Sequence, residues 1–188
     1  DLLVQVFGLS KLREIFSKAK VVSIGYWSNM PSFDETMQDL CEEVFLANPP
    51  EHLFFDFADI AKRTTDELKA TLRVLGSINN SIPVVLSLND AEARHVYECC
   101  GETFSHEPQE VAESAATVRR QVGIEEIVVH TPTYAVTANA EGTYLLVQDF
   151  CKQPVRTVGA GDTFNAGYMV GLLNHWSVPN RLAVANST

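Results

Sequence analysis

The sequence predicts an α/β protein with a mainly parallel sheet, helices flanking the sheet, and an antiparallel hairpin at its edge. Apolar runs rich in β-branched and aromatic residues alternate with amphipathic stretches, which is typical of repeated strand and helix units. After residue 130 this alternation stops, and two short runs, YAVTAN and TYLLVQ, are joined by a turn that contains glycine. Because no repeat or linker interrupts the chain, we predict one domain over 1–188.

The elements follow one another in a regular order. Strands are predicted at 21–26, 52–58, 82–88 and 125–130, and helices between them at 34–46, 65–78, 90–101 and 108–121. Thr64 and Glu67 have the spacing of a capping box, which predicts the start of the second helix. Beyond the hairpin, a helix is predicted to start around Asp162, and a last one near Pro179.

Composition narrows the class of protein. The chain has 188 residues, of which 46% are hydrophobic and 20% charged, so it can bury a core. Its net charge is −10 and its Lys and Arg residues are scattered, which argues against a nucleic-acid partner. No apolar run approaches the roughly 18 residues of a membrane span. The cysteines, at 41, 99, 100 and 151, lack metal-binding spacing, so we expect reduced thiols and a cytoplasmic protein.

The segment GAGD, residues 159–162, is the most informative part of the chain. Gly159 and Gly161 let the backbone approach an anion closely, and a helix follows at once. The unpaired N–H groups and the positive dipole end of that helix would then form an anion hole suited to a phosphate. Asp162 has two possible roles, as N-cap of the helix or as a general base. Its residue type alone favours the cap.

Two better-known glycine loops are excluded by spacing. A P-loop requires Lys directly after its last glycine, and none follows Gly159 or Gly161. A dinucleotide fingerprint requires GxGxxG directly after an early strand, whereas the third glycine here stands at 167, late in the chain. Gly167 and Gly171 have the spacing that would let another element pack closely against this helix.

The string GAGDTFNAG resembles the second signature of the ribokinase family, also called PfkB-like carbohydrate kinases, whose usual form is DTTGAGDTFxAG. The resemblance implies a ribokinase-like fold and ATP-dependent phosphorylation of a hydroxyl on a sugar or polyol. It assigns the catalytic base to Asp162. It assigns the anion hole to Gly159, Ala160 and Gly161.

A second match is SLNDAEA, which follows a strand and opens a helix. Taken alone, Asn89 or Asp90 would cap the helix and Glu92 would lie in its first turn. The segment also resembles the NxxE motif of the family, which organises Mg²⁺ and the phosphates. The resemblance therefore assigns Asn89 and Glu92 to the site for ATP and Mg²⁺, with Glu92 reaching the metal through water.

Other positions depart from the family pattern. Family members carry TxGxxG before the hairpin, where this chain reads TPTYAV. Thr131 keeps its place and is assigned to the nucleotide site, but Thr133 and Val136 replace the glycines. Arg156 stands where the family has Asp. These departures motivate an alternative, a non-catalytic sensor that binds a nucleotide or sugar phosphate. A vitamin-precursor kinase of the pyridoxal or hydroxymethylpyrimidine type is a weaker alternative.

The resemblance covers the C-terminal portion of the family. The N-terminal part, with the acceptor-binding residues and a β-sheet lid, has no counterpart here, so we expect the chain to be part of a longer protein. A homodimer built through that lid is possible for the whole protein. His130, at a strand end near the proposed site, could contact a nucleotide, but a polar strand terminus is the favoured interpretation. Tyr26 and Trp27 could stack on a ligand, but packing in the core or at its rim is the more frequent role of such residues.

Overall fold

A computed structural model of the chain describes residues 2–148, 151–154 and 158–188, with side chains from residue 4 onward. The strands are β1 (Val21–Ile24), β2 (His52–Asp56), β3 (Val84–Asn89), β4 (Glu126–His130), β5 (Tyr134–Ala138) and β6 (Thr143–Val147). The α-helices are α1 (Leu2–Phe7), α2 (Leu9–Phe16), α3 (Phe33–Asp39), α4 (Thr65–Ile78), α5 (Asp90–Cys99), α6 (Pro108–Val122), α7 (Ala160–Leu173) and α8 (Val178–Ser187). Arg156, singled out in the sequence, lies outside the described residues.

The strands form one six-stranded sheet in the order β1-β2-β3-β4-β5-β6. Strands β1 to β4 are parallel, and β5 and β6 add to β4 as an antiparallel hairpin. The predicted fold class is therefore confirmed. Since β2, β3 and β4 run the same way, their last residues, Asp56, Asn89 and His130, stand at one edge of the sheet. Ligands of open α/β sheets bind at this carboxyl edge.

Each face of the sheet is covered by helices, so strand residues alternate between two apolar cores. Leu53 and Phe55 of β2 point into the larger core, which α3 to α6 cover. Phe54 points to the opposite face, where it packs with Phe164 and Tyr168 of α7. The helix α7 therefore lies on the face of the sheet opposite to α3 to α6, together with α8. None of the helices among the described residues is long and apolar enough to cross a membrane.

Two glycines bring α8 close to α7. A Cβ atom on Gly167 would lie 2.9 Å from the Cα atom of Ala185, and one on Gly171 would lie 2.5 Å from Cγ of Arg181. Any larger side chain at these positions would push the helices apart. The expectation that both glycines permit close packing is confirmed.

Several predicted boundaries were wrong, for local reasons. The first two strands end at Ile24 and Asp56, earlier than predicted, because Tyr26 and Ala58 have positive φ angles of 60° and 50°. The helix predicted at 34–46 is α3 followed by a π-helical segment, Leu40–Phe45. β3 runs on through Asn89, which caps α5 directly, so no loop separates them.

Candidate active site

The first turn of α7 begins two residues before the position predicted from the sequence. Gly159 occupies the N-cap position with φ 89° and ψ 0°, a left-handed conformation that favours glycine, and no side chain caps the helix. Ala160, Gly161 and Asp162 are the first three helical residues, whose N–H groups have no partner within a helix. The N-cap interpretation of Asp162 is therefore wrong. This start of α7 has the donors and the dipole that bind an anion.

Asp162 is exposed at a cleft of about 500 Å³ beside the carboxyl ends of β1 and β2. Tyr26 and Ala58, both with positive φ, belong to the wall of this cleft. Backbone strain of this kind is concentrated at binding and catalytic sites. The lining residues are Ser23, Gly25, Tyr26, Asp56, Ala58, Asp162, Asn165 and Met169.

Asp56 shares this cleft with Asp162 and is held by two donors. Its Oδ2 accepts a hydrogen bond of 2.7 Å from Nδ2 of Asn165, and its Oδ1 accepts one of 3.2 Å from the N–H of Ala58. Burial raises the pKa of the Asp56 carboxyl, and the nearby charge of Asp162 raises it further. The two carboxylates therefore lie close enough to influence each other.

Asn89 and Glu92 form a complete capping box at the start of α5. The Asn89 side chain accepts from the N–H of Glu92, and the Glu92 carboxylate accepts from the N–H of Asn89, each at 2.9 Å. Glu92 is buried, and this burial raises its pKa to about 7, to which the charge of Asp56 also contributes. The structural reading of the pair is therefore correct, and the pair also lies beside Asp56.

Thr131 follows β4 and its side chain closes the turn into β5. Its hydroxyl donates to the carbonyl of Tyr134 at 2.9 Å and accepts from the N–H groups of Thr133 and Tyr134. Thr133 is exposed in this turn, whereas Val136 lies on β5 with its side chain fully buried in the larger core. Val136 therefore packs in the core and does not line the cleft.

His130 ends β4, and its ring packs against the first turn of α7. Its ring is tilted against Phe164, with ring centroids 4.8 Å apart. Burial lowers the pKa of His130 to about 4, so the ring is neutral at pH 7. Tyr26 and Trp27 differ in burial. Trp27 is fully buried and its Nε1 donates to the hydroxyl of Thr71, whereas Tyr26 is 67% exposed.

Asp56, Asn165 and Ser87 were not identified as site residues from the sequence. Asp56 ends a strand in FFDFAD, and Asn165 stands inside GAGDTFNAG, the segment that resembles the family signature. Polar residues at the carboxyl ends of parallel strands are a usable signal. Their pairing was not accessible, because Asp56 and Asn165 are 109 residues apart in the chain.

Comparisons with known proteins agree with this architecture. A family model of prokaryotic ketohexokinase matches residues 1–188. A ketohexokinase of Haloferax volcanii is 29% identical over 185 residues, covering 96% of this chain and 48% of that protein. The chain thus spans about half the length of that ketohexokinase.

Solved structures share the fold at low sequence identity. Ribokinase from Thermotoga maritima superposes with a TM-score of 0.65 and 16% identity, over 93% of this chain and 50% of its own. Pyridoxal kinase from Staphylococcus aureus, solved in complex with ADP, gives 0.68 and 19%, over 94% of this chain and 63% of its own. The resemblance to ribokinase-like carbohydrate kinases is confirmed, and the chain belongs to the prokaryotic ketohexokinase family.

Proposed function

We propose that the intact protein is an ATP-dependent kinase that phosphorylates a hydroxyl of a sugar or sugar-like small molecule. The observation that carries the proposal is the position of Asp162. Asp162 lines the cleft. It also lies in the first turn of α7, whose N–H groups have no helical partners. A base and an anion hole in one turn are what a hydroxyl attacking a phosphoryl group requires.

In this proposal Asp162 accepts the proton of the acceptor hydroxyl as the hydroxyl oxygen attacks. The N–H groups of Gly159, Ala160 and Gly161 donate to the oxygens of the transferring phosphoryl group. Phosphoryl transfer needs little covalent help from the protein, so most of the rate would come from alignment and from these fixed donors. The left-handed Gly159 presents the turn without a side chain in front of it.

Asn89 and Glu92 fit a role beside Mg²⁺ and the phosphates. Among the residues that the structure describes, no three His, Cys, Asp or Glu residues could hold a metal ion together. Mg²⁺ commonly uses one or two carboxylates together with waters and substrate phosphates, so Glu92 acting through water is sufficient. Bound Mg²⁺ would neutralise charge on the phosphate oxygens. A nearby cation would also favour the charged form of Glu92, whose pKa is raised to about 7, chiefly by burial and also by the charge of Asp56.

Thr131 is proposed to shape the nucleotide side of the site through its turn. Its hydroxyl proton is already donated to Tyr134, and its carbonyl accepts from Gln148 at 2.8 Å. Val136 is buried away from the cleft, so its replacement of a family glycine is compatible with nucleotide binding. The family supports a sugar as the acceptor. A cytoplasmic location and a homodimer remain predictions for the whole protein.

The test is to incubate the intact protein with Mg²⁺-ATP and one acceptor at a time, and to measure ADP release. The panel comprises ketohexoses, aldohexoses, pentoses, nucleosides and pyridoxal, and mass spectrometry identifies the phosphorylated product. ADP formed only with a sugar supports the proposal. ADP formed only with pyridoxal would replace it with the vitamin-kinase alternative. Nucleotide bound tightly in calorimetry, with no ADP formed on any acceptor, would replace it with the sensor.

A further inference from the structure

We infer that Asn165 is a positioning residue for Asp162: its side-chain amide joins α7 to the carboxyl ends of β2 and β3 and thereby fixes Asp162 in the cleft. This inference rests on the proposed function, in which Asp162 is the base. It concerns a residue that does not itself react.

The contacts of Asn165 are short and use both ends of its amide. Nδ2 donates to Oδ2 of Asp56 at 2.7 Å, and Oδ1 accepts from Oγ of Ser87 at 2.6 Å. Ser87 is fully buried on β3, and Asn165 is 5% exposed. The amide is therefore bonded at once to the end of β2 and to the strand that leads into Asn89.

Asn165 can fix the position of Asp162 because both residues lie near the start of α7. The two residues are three apart, which is just under one helical turn, so they lie on neighbouring positions of one helix face. Residues 159–161 are glycine, alanine and glycine, which have no side chain able to hydrogen-bond to the sheet. Within residues 160–165, Asn165 is the polar side chain whose described bonds reach the sheet. Tyr168, three residues further along α7, bonds to Glu126 near the opposite ends of the strands.

Position matters here because the proposed reaction depends on alignment. A displacement of about 1 Å can lower a turnover rate by about a hundredfold without removing any reacting group. A residue that only stabilised the fold would not have this effect on turnover in the folded protein. The test must therefore separate the hydrogen bond to Asp56 from the general stability of α7.

The variant Asn165→Asp makes this separation. The new carboxylate can still accept from Ser87, but it cannot donate to Asp56, and it places two carboxylates side by side. We expect kcat to fall by about 10- to 100-fold, while KM for ATP changes by less than about threefold, since the helix start keeps its N–H groups. The control is Asn174→Asp at the far end of α7, where the side chain bonds to the carbonyl of Val170 within the same helix. We expect normal kcat for that control.

The decisive variant exchanges the two groups, Asn165→Asp together with Asp56→Asn. An amide at position 56 can donate to the carboxylate at 165 and still accept from the N–H of Ala58, so each hydrogen bond of the network returns. We expect kcat to recover to within about threefold of the unmodified protein, because alignment is restored. Recovery of the melting temperature without recovery of kcat would overturn the inference, because the charge of Asp56 itself would then be what turnover needs.

A milder variant covers the case in which these proteins fail to fold. Ser87→Ala removes one hydrogen bond and leaves the bond between Asn165 and Asp56. We expect a loss in kcat of about threefold to tenfold with unchanged KM for ATP. Unchanged kcat in a folded Ser87→Ala protein would refute the positioning role.

A measurement that does not depend on catalysis distinguishes a failure of the proposed kinase function from a failure of the proposed role of Asn165. If the unmodified protein phosphorylates no acceptor, the proposed function fails. Amide hydrogen exchange at residues 163–165, the first amides of α7 with helical partners, then still reports whether Asn165 holds the turn. We expect faster exchange in Asn165→Asp and a return to the original rate in the exchanged pair. Equal exchange in all three proteins would contradict the role of Asn165.

Discussion

The ring of His130 packs against the first turn of α7, with its Cε1 atom 3.2 Å from where a Cβ atom on Gly161 would stand. A side chain at position 161 would press on the ring and require a small shift, so the absence of a side chain at Gly161 favours this close approach. The same packing largely removes the His130 ring from solvent and places it, tilted, against Phe164. The end of β4 and the GAGD segment therefore form one packed unit.

Burial of His130 predicts a loss of stability in acid. Its pKa is lowered to about 4 in the folded protein, against about 6.5 when the ring is solvated. The contribution of the neutral ring is complete above pH 6.5 and is lost as pH falls towards 4. In His130→Phe, which keeps an aromatic ring without a charge, we expect the stability lost between pH 7 and 4.5 to be smaller by about 2–3 kcal/mol. Urea unfolding at both pH values measures this, and parallel losses in the two proteins would refute it.

A buried ion pair at the other end of the sheet predicts a large stability effect. Glu126 accepts from Arg181 at 2.8 Å and from the hydroxyl of Tyr168 at 2.7 Å, and both charged side chains are almost inaccessible to solvent. Arg181→Met would leave a buried carboxylate without its cation. We expect the free energy of unfolding at pH 7 to fall by about 3–5 kcal/mol.

The pH dependence of that variant gives a further check. Burial raises the pKa of Glu126 even with Arg181 present, and removing the cation raises it further. The penalty should therefore shrink as the pH is lowered and the carboxyl becomes neutral. The control is Lys11→Met, which breaks an exposed pair with Glu14 and should cost less than about 1 kcal/mol. Equal losses in the free energy of unfolding for the two variants would show that the buried pair contributes no more to stability than an exposed one.

The contact between α7 and α8 predicts the sign of a glycine substitution. Gly to Ala inside a helix usually stabilises a protein by up to about 1 kcal/mol. A Cβ atom on Gly167 would instead lie 2.9 Å from backbone of Ala185, so we expect Gly167→Ala to destabilise by about 1–3 kcal/mol. Ala166→Ser, at an exposed neighbouring position, should change stability by less than about 0.5 kcal/mol. Thermal unfolding of both proteins tests this, and a stabilised Gly167→Ala would show that the helices can move apart freely.

Local sequence patterns predicted those features that depend on nearby residues. The capping box of Thr64 with Glu67 forms as expected, because its partners are three residues apart. At α5, Asn89 is the cap and Glu92 lies in the first turn, as expected, and the two also close a capping box that was not predicted. The edge hairpin was predicted for the same reason. The start of α7 was misjudged because glycine caps it by its backbone conformation, without a side-chain signal.

Features that depend on distant parts of the chain were not predicted. The bond between Asp56 and Asn165 joins two segments that meet only after β2 and α7 pack together. The burial that lowers the pKa of His130 likewise arises from a helix that begins 30 residues later. The π-helical segment after α3 interrupts a regular amphipathic pattern, and nothing in the sequence around Leu40–Phe45 marked it.

The most direct test of the proposed kinase is Asp162→Asn in the intact protein, compared with the unmodified protein in ADP release and in calorimetric titration with Mg²⁺-ATP. The substitution keeps the size of the side chain and removes its ability to take a proton. Asp162 is exposed at the cleft, so the fold should tolerate the change. We predict that kcat falls by about 100- to 10,000-fold, while the affinity for nucleotide changes by less than about threefold. Near-normal turnover in Asp162→Asn would contradict the assignment of the base.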